Sequence, residues 1–340
     1  MKSSAGTYYA GLDHVRALAA FLVVVWHFAH WTEGKPVPFN QAPLLGPLDE
    51  GHVGVSVFMV LSGYLFAKLI GDKEIRYLPF LWNRAIRLLP LLLLTLAIYA
   101  VVNRVEPLSY MILLSGAVLL PVLPNGGWSI TAESHFYMIL PLALAAMKKD
   151  PNWALCFLAA SISLRLVINI VGIDIQFVAY YTIFGRIDQF VFGISAFRLG
   201  NRVTGRVALL CLLVLWIFYG IFDALGGFYN LPDKALWIGI PTIEGSAIAG
   251  MIAWYDRNPL PHNWFLQKAG EYSYSIYLLH FFFVHEAAQF VDENVMAMPT
   301  LIHALPWAML FYLGMMIVGH VSWKLVEEPA LRYRRRYVVA

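Results

Sequence analysis

The sequence predicts an all-α, polytopic transmembrane helix bundle, and three observations carry that expectation. Hydrophobic residues make up 60% of the 340-residue chain, charged residues only 13%, and the mean hydropathy is +0.65. Ordinary globular chains carry about 25% charged residues, so too few charges are present to clothe a soluble particle of this size. The apolar residues also fall in long runs rather than in narrow amphipathic stripes. Soluble Rossmann and barrel enzymes, collagen, disordered tails and disulfide scaffolds are excluded together.

A helix crossing about 30 Å of hydrocarbon needs about 20 apolar residues. By that measure ten spans are expected, at 12–31, 52–71, 80–102, 128–147, 152–170, 180–200, 206–223, 235–254, 272–292 and 301–325. Val15–Trp31 lacks a strongly basic flank and a small-residue cleavage site, so it reads as a retained first span rather than a signal peptide. One further apolar piece, 108–122, has only 15 residues and is closed by Pro121, Pro124 and Gly126-Gly127. It reads as a re-entrant segment within about 104–127. Cys156 and Cys211 lie inside apolar runs and read as small core residues.

Lysine and arginine decide the orientation, because cytoplasmic loops collect them. With ten spans and both termini inside, 18 of the 24 basic residues fall inside, three outside (Lys35, Arg104, Lys234) and three within spans (Arg16, Arg165, Arg186). Letting 108–122 cross instead would leave 7 inside and 14 outside. The outer loops are then 32–51, 103–127, 171–179, 224–234 and 293–300, mostly short. The basic tail, 326–340, reads through Arg332–Arg336 as an anchor to anionic lipid headgroups, with a binding role as the other reading. The whole of 1–340 is expected to be one transmembrane domain with both termini on the cytoplasmic side.

Ionisable groups within a bilayer cost roughly 2.5–3.5 kcal/mol each on insertion scales and tend to mark function. Arg16 and His27 stand eleven residues apart in the first span, close to three full turns. They therefore share a face, about 16 Å apart along the axis. Glu133, five residues into a span running the opposite way, is expected at nearly the depth of His27. A neutral imidazole oriented by a carboxylate is a serviceable general base; a polar pair joining two helices is the other reading.

Arg84 and Arg87 share one helix face at the inner boundary. Two guanidinium groups there fit either snorkelling to lipid phosphate or a fork for an anionic donor. Arg186 and Asp188 lie close to the outer surface, two residues apart, and need partners elsewhere; Arg165 reads as a partner of Asp174 or a snorkelling side chain. His280 lies mid-span and reads as a helix–helix hydrogen bond. None of the ten histidines shows zinc-type spacing, so neither a metal nor a nucleic-acid partner is expected.

Six stations occur in order along these spans. They are Leu12-Asp13-His14-Val15-Arg16-Ala17 with His27, Gly54–Leu65, Arg84-x-x-Arg87 with Pro90, Trp128–Tyr137 around Glu133, Ser273–His280, and Glu327-Glu328-Pro329. Together they resemble the acyltransferase 3 family, integral membrane O-acyltransferases that modify bacterial surface glycans and some small molecules. His14 stands where the family usually has glycine, and Ser134 where a second acidic residue is often found. The resemblance is to the stand-alone form, without the esterase-like domain fused to many relatives.

The resemblance implies that Arg16, His27, Arg84 and Arg87 are essential, with Glu133 beside them. It implies an acyl-coenzyme A co-substrate, with acetyl as the default acyl group, and a hydroxyl acceptor on a glycan or lipid-linked glycan. Arg84, Arg87 and Arg16 would hold the phosphates while His27, oriented by Glu133, removes the acceptor proton. Tyr137, Arg186, Asp188 and Trp128 are the expected substrate-binding residues, with Tyr137, Ser129 and Arg186 as oxyanion donors. The alternative reading is a proton-coupled transporter or flippase with Arg16, His27 and Glu133 as its relay.

Overall fold

The computed structural model describes residues 9–30, 43–71, 73–261 and 263–339. The beginning of the expected first outer loop with Lys35, and Lys2 near the start, lie outside the described residues. Helix α1 (Ala10–Ala29) and the four-residue α2 (Gly46–Asp49) are followed by α3 (Val53–Ile70) and α4 (Tyr77–Val102). A short α5 (Pro107–Gly116) precedes α6 (Gly127–Lys149), α7 (Trp153–Ile170), α8 (Ile175–Tyr181) and α9 (Ile183–Leu199). Then come α10 (Gly205–Ala224), α11 (Gly227–Asn230), α12 (Ile240–Tyr255), α13 (Trp264–Glu271), α14 (Ser273–Leu279) and α15 (Val284–Asn294). The last helices are α16 (Leu301–Ser322) and the one-turn α17 (Glu328–Ala330).

The chain is a multi-pass membrane protein: among the described residues seven helices are long and apolar enough to cross a bilayer, namely α1, α3, α4, α6, α7, α10 and α16 with its continuation. Their outward faces carry large apolar side chains, such as Leu210 at 61% exposure and Ile217 at 62%, which only hydrocarbon accommodates in such numbers. The other three expected spans are interrupted, each for a local reason. The 180–200 stretch breaks at Thr182, an extended residue whose hydroxyl caps α9 by accepting from the Gly185 amide. The 235–254 stretch opens as a 3-10 turn, Lys234–Ile238, before α12. The 272–292 stretch is cut at Tyr272 and again by the 3-10 turn His280–Phe282.

Helix α5 has ten residues, none of them buried. At 1.5 Å per residue it reaches about 15 Å, half a bilayer. Beyond it the Ala117 and Val118 carbonyls accept from Thr131 Oγ1 (3.1 Å) and His135 Nε2 (2.7 Å), so the returning chain lies against α6.

Helices α1 and α3 form the centre, with 67% and 72% of their apolar stretches buried, against 11% for the peripheral α7. Small residues permit the close crossings, as expected where lipid supplies no hydrophobic drive between helices. A Cβ on Gly63 of α3 would stand 2.1 Å from the Phe190 carbonyl oxygen of α9, and one on Gly193 of α9 would stand 2.1 Å from that of Val60. Likewise a Cβ on Gly270 of α13 would meet the Asp13 carbonyl of α1 at 2.0 Å.

The 331–339 segment folds back rather than extending as a free anchor. Its strand β2 (Val338–Val339) pairs antiparallel with β1 (Glu74–Ile75), just ahead of α4. Arg332, Arg335 and Arg336 on this segment are exposed, while Arg334 turns inward.

Candidate active site

A cleft with many polar side chains runs between α1, α3, α4, α6, α13, α14 and the 331–339 segment. Asp13, Arg16, Ser62, Arg84, Arg87, Ser129, Glu133, Tyr137, Tyr274, Tyr277 and Arg334 all face it. Four of the five residues expected to be essential are therefore collected on one cavity: Arg16, Arg84, Arg87 and Glu133.

Arg16 is bonded to Asp13 one turn earlier, Nη1 to Oδ1 at 2.5 Å. Arg84 lies with its guanidinium carbon 4.9 Å from the Phe66 ring centre and 5.8 Å from that of Tyr137. Among the described residues Arg84 makes no ion pair, and its buried Nε has no hydrogen-bond partner. Its neighbour Arg87 pairs with Glu327, whose carboxylate also accepts from Ser275. The two arginines of one helix face thus differ: one is neutralised, and the other presents its charge from an aromatic shelf.

Glu133 does not meet His27. Its carboxylate accepts from Ser62 Oγ at 2.8 Å and from the Tyr137 hydroxyl, one turn along α6. The expected His27–Glu133 pair is replaced by a pair of histidines. His280 Nε2 approaches His27 Nδ1 at 3.2 Å, and the ring centres are 5.0 Å apart. His280 opens the 3-10 turn His280–Phe282 that follows α14, a helix packed against α1.

The hydrogen bonds fix the tautomers. His27 Nδ1 lies 2.9 Å from the Val23 carbonyl, and His280 Nδ1 lies 3.0 Å from that of Ile276. A carbonyl only accepts, so both Nδ1 atoms carry hydrogen. His280 Nε2 then accepts a share of the His27 Nδ1–H, and His27 Nε2 is left as a lone-pair nitrogen.

Between cleft and histidines stands a hydroxyl pair, Ser129 Oγ and Tyr277 Oη, 2.9 Å apart. Both also bond the Gly126 carbonyl. Gly126 has φ 72°, and a Cβ there would press on Phe281 and Tyr277. The Tyr277 ring is 6.3 Å from that of His280. His27 itself is not on the cleft wall; it lies behind Tyr277 and His280.

Sequence comparison fits this arrangement. A family model described as an acyltransferase domain, acyltransferase 3, matches residues 9–322. The chain belongs to the acyltransferase 3 family. A provisionally named O-acetyltransferase of Staphylococcus aureus (strain MRSA252) is 24% identical, over 97% of this chain and 60% of its own length. A provisionally named membrane-bound transacylase of Komagataeibacter xylinus, BcsY, is 26% identical, over 97% of this chain and 84% of its own. The O-acetyltransferase OatA of S. aureus (strain NCTC 8325 / PS 47) is 22% identical, over 95% and 57%. The chain thus spans about 60% of the length of the first of these relatives. No solved structure matches significantly.

Within this acyltransferase 3 fold, three of the four expected substrate-binding residues lie away from the cleft. Arg186, 1% exposed, donates to the Tyr180 carbonyl (2.6 Å), Ser56 (2.8 Å) and Gln189 (3.0 Å). Ser56 and Gln189 in turn donate to Glu244. Asp188 pairs with Arg165 at 2.9 Å and accepts from Thr242 at 2.6 Å, in full burial. That replaces the expected Arg165–Asp174 contact. Trp128 packs on Tyr180 and Tyr181, with ring centres 4.9 and 4.8 Å away. Only Tyr137 reaches the cleft.

The residues that the motifs left without a role are Ser62, Tyr277, Glu327 and Arg334. Ser62 sits in the Gly54–Leu65 station, Tyr277 in Ser273–His280 and Glu327 in the Glu-Glu-Pro station. The signal was present in each, but no helix-face argument links residues on different helices.

Proposed function

We propose that this family member is a membrane O-acyltransferase that moves an acyl group, acetyl by default, from acyl-coenzyme A to a hydroxyl of a surface glycan. The carrying observation is the set of polar groups gathered on one cleft, with the histidine pair behind its Tyr277 wall. Guanidinium groups, a carboxylate and hydroxyls line the cleft, and His27 lies behind Tyr277 and His280. Coenzyme A is a polyanion on a long flexible arm, and charge-assisted bonds from Arg84 and Arg16 suit its phosphates. The excess of lysine and arginine near that end supports a cytoplasmic donor, with the histidine pair toward the far leaflet of the inner membrane.

In this reading the acceptor hydroxyl gives its proton to His27 Nε2 while its oxygen bonds to the thioester carbonyl carbon. The tetrahedral oxyanion takes hydrogen bonds from Ser129 and from Tyr277, whose ring neighbours that of His280. It collapses with loss of the coenzyme A thiolate, which takes up the proton that His27 holds. No enzyme-bound acyl group is required. For the arm to arrive there, the Tyr277 ring must rotate or the arm must pass beside it.

The test is acyl transfer from labelled acetyl-coenzyme A by purified protein. His27→Ala should lose about 10²–10⁴ in rate, while coenzyme A should still raise its thermal stability as a ligand of the folded state. Wild-type turnover in that variant would refute the mechanism. Mass spectrometry of envelope glycans with and without the protein would identify the acceptor.

A further inference from the structure

Four arginines crowd the segment after α17, and the fold sorts them. Asn83, fully buried on α4, holds the main chain of Arg335 with both ends of its amide. Its Nδ2 donates to the Arg335 carbonyl at 2.7 Å, and its Oδ1 accepts from the Arg335 amide at 2.8 Å. Trp82 Nε1 donates to the Tyr333 carbonyl at 2.9 Å, and the Arg76 amide donates to that of Tyr337 at 2.8 Å. The Tyr337 ring is buried with its centre 5.4 Å from that of Phe80. Clamped in this way, the strap directs Arg334 into the cleft beside Arg84 and Arg87.

Three guanidinium groups from two chain segments then share one wall. Burial, followed by repulsion from Arg87 and Arg84, pulls the Arg334 guanidinium down to about 10. Glu327 pairs with Arg87, and a ligand with several negative charges is still attracted to guanidinium groups gathered on one wall; a diphosphate with a further phosphate meets that description.

We infer that the 331–339 strap is part of the donor site, with Arg334 a third guanidinium for the phosphates and Asn83 the residue that positions it. The inference rests on the acyl-coenzyme A reading above. It assigns a ligand contact to a basic tail that otherwise reads as a lipid anchor.

The experiment compares two donors in full-length protein: acetyl-coenzyme A and S-acetylpantetheine, which has the same thioester but no phosphate. Arg334→Ala should raise the KM for acetyl-coenzyme A about 10–100-fold, the effect of losing a hydrogen bond to a charged group. Its kcat at saturation should stay within about twofold, and its KM for S-acetylpantetheine should not change. Arg336→Ala, exposed on the same strap, should match wild type with both donors. Arg334→Gln, which keeps the side-chain bulk, serves if the alanine variant folds poorly. An unchanged KM for acetyl-coenzyme A overturns the inference, and so does an equal loss with both donors, because that marks a purely structural strap. Wild-type protein that uses the two donors with equal KM would instead sink the donor reading itself.

Discussion

His280 Nε2 lies 3.2 Å from His27 Nδ1, so the imidazole on α1 takes its orientation from the broken helix stretch and not from Glu133. Since His280 accepts from the His27 Nδ1–H, removing it loosens the ring that presents Nε2. His280→Leu should lower kcat about tenfold or more, short of the roughly 10²–10⁴-fold expected for losing the base itself, with the donor KM unchanged. His280→Gln, which keeps an acceptor, should fall between. Steady-state kinetics of the three proteins checks this, and wild-type kcat in His280→Leu would remove the positioning role.

Arg84 and Arg87 should separate cleanly by mutation. Arg84 makes no ion pair among the described residues, so Arg84→Ala should raise the donor KM about tenfold and leave the melting temperature nearly unchanged. Glu327, 2% exposed, neutralises Arg87. Glu327→Ala leaves a largely buried guanidinium without its partner, a change that costs about 3–5 kcal/mol in buried pairs. Its signature should be poor recovery of folded protein in detergent rather than a KM effect. Equal stability of Glu327→Ala and Arg84→Ala would contradict the assignment.

How far the sequence carried can be judged from particular residues. The all-α membrane bundle was legible because hydrocarbon demands long apolar runs, and α1, α3, α4, α6, α7, α10 and α16 obey that demand. The interruptions at Thr182 and His280 were not legible, since neither is glycine or proline; a capping hydroxyl and a 3-10 turn set by packing make them. Arg16, Arg84, Arg87 and Glu133 could be selected as costly polar groups within a membrane, and all four face one cleft. Depth along a helix axis put Glu133 level with His27, but depth does not say which helices touch. That same gap placed Arg186 and Asp188 among substrate contacts when each is satisfied by buried neighbours.

Asp188 and Arg165 are both fully buried, and Thr242 and the Gly185 carbonyl bond them as well. Asp188→Ala should therefore destabilise the fold by about 3–5 kcal/mol through the orphaned Arg165. The double variant Asp188→Ala with Arg165→Met should recover part of that loss. Specific activity per folded molecule should stay within about twofold in both. A loss of activity in well-folded Asp188→Ala protein would return the residue to the substrate site.

Outside the spanning helices, Glu50 and His30 should make the fold sensitive to alkaline pH. Burial raises Glu50 to about 8, although the Phe228 amide lies 3.2 Å from one of its oxygens. Burial opposes charge on His30, but the hydrogen bond and charge of Asp49 outweigh it and raise His30 above its usual value. Both groups hold their protons more tightly folded than unfolded, so each adds stability at low pH that is lost as pH rises through the folded value. His52, held down to about 3 by burial, acts in the opposite sense but only below its ordinary value of 6.5. The interval from pH 7 to 9 therefore lies clear of the His52 range. The apparent melting temperature of the detergent-solubilised protein should fall across it, and Glu50→Gln, neutral throughout, should flatten the fall and exceed wild type at pH 9. Parallel curves for the two proteins would mean that Glu50 is already ionised at pH 7, so that the Phe228 amide and the neighbouring histidines outweigh its burial.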